Sequence, residues 1–274
     1  MSLEHKKRVI SALVGLVAGL AIYFGLGHPG LIFIVVVISA ASYYEFLVFS
    51  GAGGESRILS VIAGTILAIW LCVGLPGALV AFYLSALAVL LRSLWRVHCM
   101  PSPADPAALQ REVLHAQSRV FGLAYMVLFP SFVVQLHGLA HGPALLLLLL
   151  GVIWLGDIGA YYGGKAFGRN KLSPNVSPGK TREGAVAALV VCALWAYAWG
   201  SYALPHLPAW KWILIAVLSS VIAQAGDLLE SLLKRAYAVK DSGGLIPGHG
   251  GVFDRFDSLI LAAPFFYLLL RLLT

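Results

Sequence analysis

Nine times along this chain an apolar stretch of roughly 17 to 22 residues recurs, at about 9–26, 30–50, 58–75, 77–92, 120–136, 143–162, 184–203, 210–233 and 256–273. Coiled as an α-helix, each is long enough to cross a hydrocarbon core of about 30 Å. Lipid offers no partner for a backbone N–H or C=O, so only helices and closed barrels can span it. These runs are continuous, whereas barrel strands would alternate apolar and polar residues in short segments. Composition agrees: 11% of residues are charged, against about 25% in a soluble domain, and the mean hydropathy is +0.88. The expected fold is an all-α integral membrane protein, a polytopic bundle of about nine transmembrane helices. It is expected to form a single domain over residues 1–274, with residues 1–137 as N-terminal helices and residues 138–274 as the half that carries the polar loops.

No soluble domain is left over. The longest connection, Ser93 to Arg119, is too short and polar for a core of its own, although Pro106 to Gln117 has the pattern of an amphipathic surface helix. His5-Lys6-Lys7-Arg8 followed by Val9 to Phe24 has the basic and apolar regions of a signal peptide. A retained helix is expected instead, because the stretch shows no convincing small-residue cleavage site and the apolar run is long. Cys72, Cys99 and Cys192 are odd in number and widely spaced, which suits packing and supports neither a disulfide framework nor a zinc site.

The basic residues set an orientation. With the N-terminus in the cytoplasm, 17 of the 19 Lys and Arg fall inside, and only Lys211 and Arg271 fall outside. Such a bias is the positive-inside rule, so the formal net charge of +7 reads as topology, and nucleic-acid binding is not needed to explain it. Two polar loops, Gly163 to Gly184 and Lys234 to Arg255, then share the cytoplasmic side, while the outward connections are short and bland.

Charged residues inside membrane helices are costly and point to function by default. In "AQAGDLLESLLKR", Asp227, Glu230, Ser231 and Lys234 are spaced i, i+3, i+4 and i+7, on one face of the eighth apolar helix near its cytoplasmic end. A helix-end Glu230–Lys234 salt bridge is the plainer reading of that pair. Asp254 and Asp257, three apart at the start of the ninth helix, are placed where carboxylates cap helices. Capping does not account for Asp241, Asp254 and Asp257 converging with Asp227 on one glycine-rich connection. Several carboxylate oxygens beside Lys234, Lys240 and Arg255 are what a magnesium–nucleotide site requires.

Gly243, Gly244, Gly248, Gly250 and Gly251 can bring backbone N–H groups against a phosphate, though turn flexibility alone would also use glycine. His249, between Gly248 and Gly250, is placed to contact a phosphate or transfer a proton. The earlier loop begins at Asp157 and runs through Lys165, Arg169 and Lys171 to Ser177, Lys180, Thr181 and Arg182. Its "GKT" is not a P-loop, since the required first glycine is Pro174 and no strand precedes it. It remains a basic, hydroxyl-bearing loop suited to phosphate, with anionic lipid headgroups as the milder alternative. Glu45, in the second apolar helix, is a further intramembrane acid with no partner assignable from sequence.

Taken together, Ser231-x-x-Lys234-Arg235, Lys240-Asp241 and "IPGHGGVFDRFD" from Ile246 to Asp257 resemble the signature of the phosphatidate cytidylyltransferase (CDP-diacylglycerol synthase) family, matched without a gap. "SPGKT" and the Asp157 region are similar to that family as well, so the likeness covers at least the last 120 or so residues. The resemblance implies transfer of CMP from CTP to phosphatidic acid, with Mg²⁺ required, a second cation of the K⁺ type, and a homodimer. It also implies a metal centre at Asp227 and Asp254 supported by Asp241 and Asp257. Lys234, Lys240, His249 and Arg255 would join them in catalysis. Asp157, Ser177, Lys180, Thr181, Arg182, Ser231, Arg235, Gly248, Gly250 and Gly251 would bind substrate.

Two other classes compete. A CTP-dependent lipid kinase of the polyprenol type would share the membrane, nucleotide and metal, but would need a base to activate a lipid alcohol. A transporter would need a polar track across the bundle, and the charges cluster at one face instead. The expected location is a bacterial inner membrane with the active site on its cytoplasmic side.

Overall fold

The apolar stretches become helices because each satisfies its own backbone within one segment. A computed structural model describes residues 3–52, 57–246 and 250–273, with backbone alone for residues 3–12. In chain order the helices are α1 (Leu3–Leu26), α2 (His28–Phe49), α3 (Arg57–Val73), α4 (Ala78–His98) and α5 (Pro106–Gly122). A π-helical turn at Leu123–Leu128 leads into α6 (Phe129–His137) and α7 (Gly142–Phe167). Strands β1 (Lys171–Ser173) and β2 (Ser177–Thr181) precede α8 (Arg182–Ala203), α9 (Ala209–Ala236) and α10 (Phe253–Leu273). Among the described residues seven helices are long and apolar enough to span a membrane, and Leu13–Leu26 and Arg57–Val73 are shorter apolar ones. The protein is an all-α integral membrane protein.

The chain divides into two compact units. The first runs to Ser131 and takes in Asp241–Asp254; the second runs from Phe132 to Lys240 and from Arg255 onward.

In the first unit the core forms around α2, where Tyr43, Phe46 and Leu47 are buried. The Tyr43 hydroxyl donates to the Arg119 carbonyl at 3.3 Å, tying α2 to α5. The stretch Ser93 to Arg119, expected as a connection with a surface helix, is mostly helix. Asp105 caps α5 by accepting from Ala107 N at 3.1 Å, and Pro106 sits where a missing N–H costs nothing. The helix then continues without a break into the apolar segment. Its polar face is turned inward: Glu112 and Arg119 are buried. Glu112 accepts from Ser93 Oγ at 2.9 Å and lies 3.5 Å from Arg96 and 3.8 Å from Arg119. Amphipathicity alone could not tell a lipid surface from this polar neighbour.

In the second unit α7 packs closely on α8. A methyl on Gly151, Gly159 or Gly163 would run into Trp195, Val191 or Ala187, so small residues let the two backbones approach. Donors on α8 then reach carbonyls on α7: Trp199 Nε1 to Ala144 at 2.9 Å and Trp195 Nε1 to Leu148 at 3.1 Å. The loop between α7 and α8, read from sequence as having no strand ahead of "GKT", instead contains an antiparallel hairpin pairing Lys171 with Thr181 and Ser173 with Ser177, and "GKT" lies in its second strand; Pro174 still rules out a P-loop. Glu183 fixes its base by accepting from Arg169 N, Asn170 N and Asn170 Nδ2. Thr181 ends the hairpin and begins α8, its Oγ1 accepting from Gly184 N at 3.1 Å.

Candidate active site

The acids expected to act together fall into two groups, one in each unit. In the second unit, Asp227 and Glu230 stand one turn apart on α9, and Asp257 stands on α10. Their carboxylate oxygens lie within 4.8 Å of one another. α9 and α10 come this close because residue 226 is glycine; a Cβ there would sit 2.8 Å from the Asp257 carbonyl oxygen. Lys180, from β2, places Nζ 2.5 Å from Asp227 Oδ2, and Lys234 places Nζ 2.7 Å from Glu230 Oε1. The plain Glu230–Lys234 ion pair is therefore present, and Glu230 is also a member of the acidic group, which the sequence reading did not assign. Its signal was the i+3 spacing from Asp227.

Three carboxylates converging on one point, with lysines on two of them, fit a hard divalent cation, which takes oxygen ligands. Beside this group a cavity of about 420 Å³ is lined by Asp157, Tyr161, Lys165, Lys180, Thr181 and Asp227, among others. That volume is within the range of small-molecule sites. Lys165, Arg169, Arg182, Arg235 and Lys240 are exposed, Ser231 lies one turn beyond Asp227 on α9, and Ser177 opens β2.

In the first unit, Asp254 and the glycine loop are tied together by backbone hydrogen bonds. Asp254 Oδ2 accepts from Ser242 N at 3.0 Å and from Gly251 N at 2.8 Å. Ile246 N donates to the Gly250 carbonyl at 3.1 Å, and Gly250 has φ +80°, a conformation that favours glycine. Asp241 is exposed at the start of this loop, and Arg255 is exposed where α10 begins. His249 and Gly248 lie outside the described residues.

Glu45, whose partner could not be assigned from sequence, has its partners on the glycine loop and the start of α10. It is 2% exposed on α2 and accepts from Ser242 Oγ at 3.1 Å, Val252 N at 3.0 Å and Phe253 N at 3.0 Å. An α-helix leaves its first N–H groups without intrahelical acceptors, and here an acid from about 200 residues earlier supplies them. A Cβ on Gly251 would fall 2.4 Å from Glu45 Oε2, so glycine at that position is the condition for the approach. Only the lone acid in an apolar helix hinted at this from sequence.

The Cytidylyltransferase family model matches residues 6–273. The chain belongs to this family. Among its relatives, the phosphatidate cytidylyltransferase of Bacillus subtilis is 48% identical over 121 residues, 44% of this chain and 45% of the relative. That of Haemophilus influenzae is 40% identical over 157 residues, 54% of each chain. That of Pseudomonas aeruginosa is 38% identical over 160 residues, 56% of this chain and 57% of the relative. The chain thus spans about half the length of the curated relatives it matches.

Proposed function

We propose that this protein is a CTP-dependent nucleotidyltransferase that moves CMP from CTP to phosphatidic acid, giving CDP-diacylglycerol and pyrophosphate. The observation that carries the reading is the carboxylate group of Asp227, Glu230 and Asp257 with Lys180 beside a cavity of about 420 Å³. The relatives it matches, phosphatidate cytidylyltransferases, point the same way.

In this reaction an oxygen of the lipid phosphate forms a bond to the α-phosphorus of CTP. The bond from that phosphorus to the bridging oxygen breaks, and pyrophosphate leaves with the electron pair. The attacking phosphate is already an anion, so no general base is required. The chain's work is to position two negative reactants and offset their charge. Lys180, with Lys165 lining the same cavity, supplies positive charge to the phosphates. Asp227 holds Lys180 by its ammonium group, and Glu230 holds Lys234 in the same way. Asp227, Glu230 and Asp257 would hold Mg²⁺, which when bound neutralises and orients phosphate oxygens. Asp254 enters as the residue that shapes the glycine loop, through its bonds to Ser242 and Gly251.

The same reading includes a monovalent second cation, a homodimer, and a site on the cytoplasmic face of a bacterial inner membrane, supported by the distribution of Lys and Arg. It is tested by incubating the purified full chain with phosphatidic acid, Mg²⁺ and CTP labelled at the α-phosphorus. Label in the lipid with release of pyrophosphate, lost in Asp227→Ala, is the expected result. Transfer of γ-label instead would make the protein a lipid kinase and sink the proposal.

A further inference from the structure

The first unit contains a second cavity, of about 450 Å³, whose chemistry the transfer reaction does not use. Leu59 and Ala63 of α3 and Leu84 and Ala88 of α4 line it, together with Arg92 of α4 and Arg119 of α5. Leu84, Ala88 and Arg92 are spaced i, i+4 and i+8, so they form one stripe of α4 about 12 Å long. One end of that stripe is apolar and the other carries a guanidinium group. Arg92 stands within two turns of the helix end at His98, the depth at which headgroups meet a spanning helix.

Three guanidinium groups, those of Arg92, Arg96 and Arg119, gather at the charged end. Glu112 is the carboxylate that faces Arg96 at 3.5 Å and Arg119 at 3.8 Å, and Arg92 adds a third guanidinium. Guanidinium groups bind phosphate through paired N–H donors. The apolar end opens sideways: Leu84 is 54% exposed, on α4, one of the helices long and apolar enough to span a membrane. An occupant must therefore carry a phosphate at one end and hydrocarbon at the other, and must enter from the bilayer.

We infer that this groove binds one anionic diacyl glycerophospholipid, its phosphate at Arg92 and Arg119 and an acyl chain along Ala63, Leu84 and Ala88. The groove shares no lining residue with the Asp227–Glu230–Asp257 group, and the inference does not depend on the transfer reaction. Phosphatidylglycerol is the chosen probe because it lacks the terminal phosphate monoester that the reaction would consume.

The test is native mass spectrometry of the full chain in detergent, titrated with phosphatidylglycerol or with phosphatidylcholine of the same acyl chains. One phosphatidylglycerol should be retained in preference to phosphatidylcholine. Arg92→Gln, at an exposed position, should weaken its retention about tenfold, since it removes a charge-assisted contact. Ala63→Trp should block it by filling the groove while leaving the arginines in place. Equal retention of the two lipids, or wild-type retention by both variants, would refute the site. Displacement by millimolar inorganic phosphate would reassign the arginines to a free anion, and exclusion of lipid from a dimeric species would give the groove to a second copy; either overturns the inference.

Discussion

Replacing Glu45 by alanine should release the glycine loop and the start of α10 from α2. The side chain is 2% exposed and accepts from Ser242 Oγ, Val252 N and Phe253 N at 3.0–3.1 Å. Ser242 can turn its hydroxyl elsewhere, but the two backbone N–H groups cannot. Each buried donor left without an acceptor costs about 1–3 kcal/mol. Relief from burying a charge offsets part of that cost. A net loss of about 3 kcal/mol in local stability follows, equivalent to roughly a hundredfold faster opening of the segment. Amide hydrogen exchange followed by mass spectrometry reads this directly, in peptides covering Val252 and Phe253, with Ile260 in the interior of α10 as an internal control. Glu45→Gln should fall between, because one amide oxygen replaces two acceptor oxygens and an NH₂ group then faces a donor. Unchanged exchange at Val252 and Phe253 in the alanine variant would refute the reasoning.

Phe253 adds a packing anchor beside the same bonds, with its ring fully buried 6.1 Å from Tyr125 and 6.5 Å from Phe49. Phe253→Ala should cost about 3–5 kcal/mol, seen as a lower unfolding midpoint in detergent. Lys180→Met should lower nucleotidyl transfer by about 10²–10³-fold while leaving thermal stability near wild type, because the ion pair to Asp227 is partly solvated; unchanged turnover would remove Lys180 from the site. Partial desolvation, and the His141 ring stacked 5.0 Å away, hold the pKa of the exposed His206 below its ordinary value. The unfolded chain then binds more protons on the acid side of neutrality, so His206 should cost stability as pH falls through its ordinary range. His206→Gln should flatten that part of the stability–pH curve, and an identical curve would exclude the effect.

The helices and the polar character of the segments between them were legible in the sequence because both are local. Hydropathy over 20 residues decides whether a segment can leave water, and spacing within one helix put Asp227, Glu230 and Lys234 on one face before any fold was known. The pattern from Ser231 to Asp257 was likewise visible, as a run of fixed spacings. Partnership across the chain was not. No periodicity relates Glu45 to Val252, yet that pairing supplies the start of α10 with its acceptors. The inward turn of Glu112 and Arg119 depended on α4 being beside them, since a polar face is drawn equally to water, headgroups or another polar helix. Tertiary structure also sorted the acids, bringing Glu230 and Asp257 to Asp227 and tying Asp254 to Ser242 and Gly251. Residue type states which contacts a side chain requires, and only the packed backbone decides which partner meets that requirement.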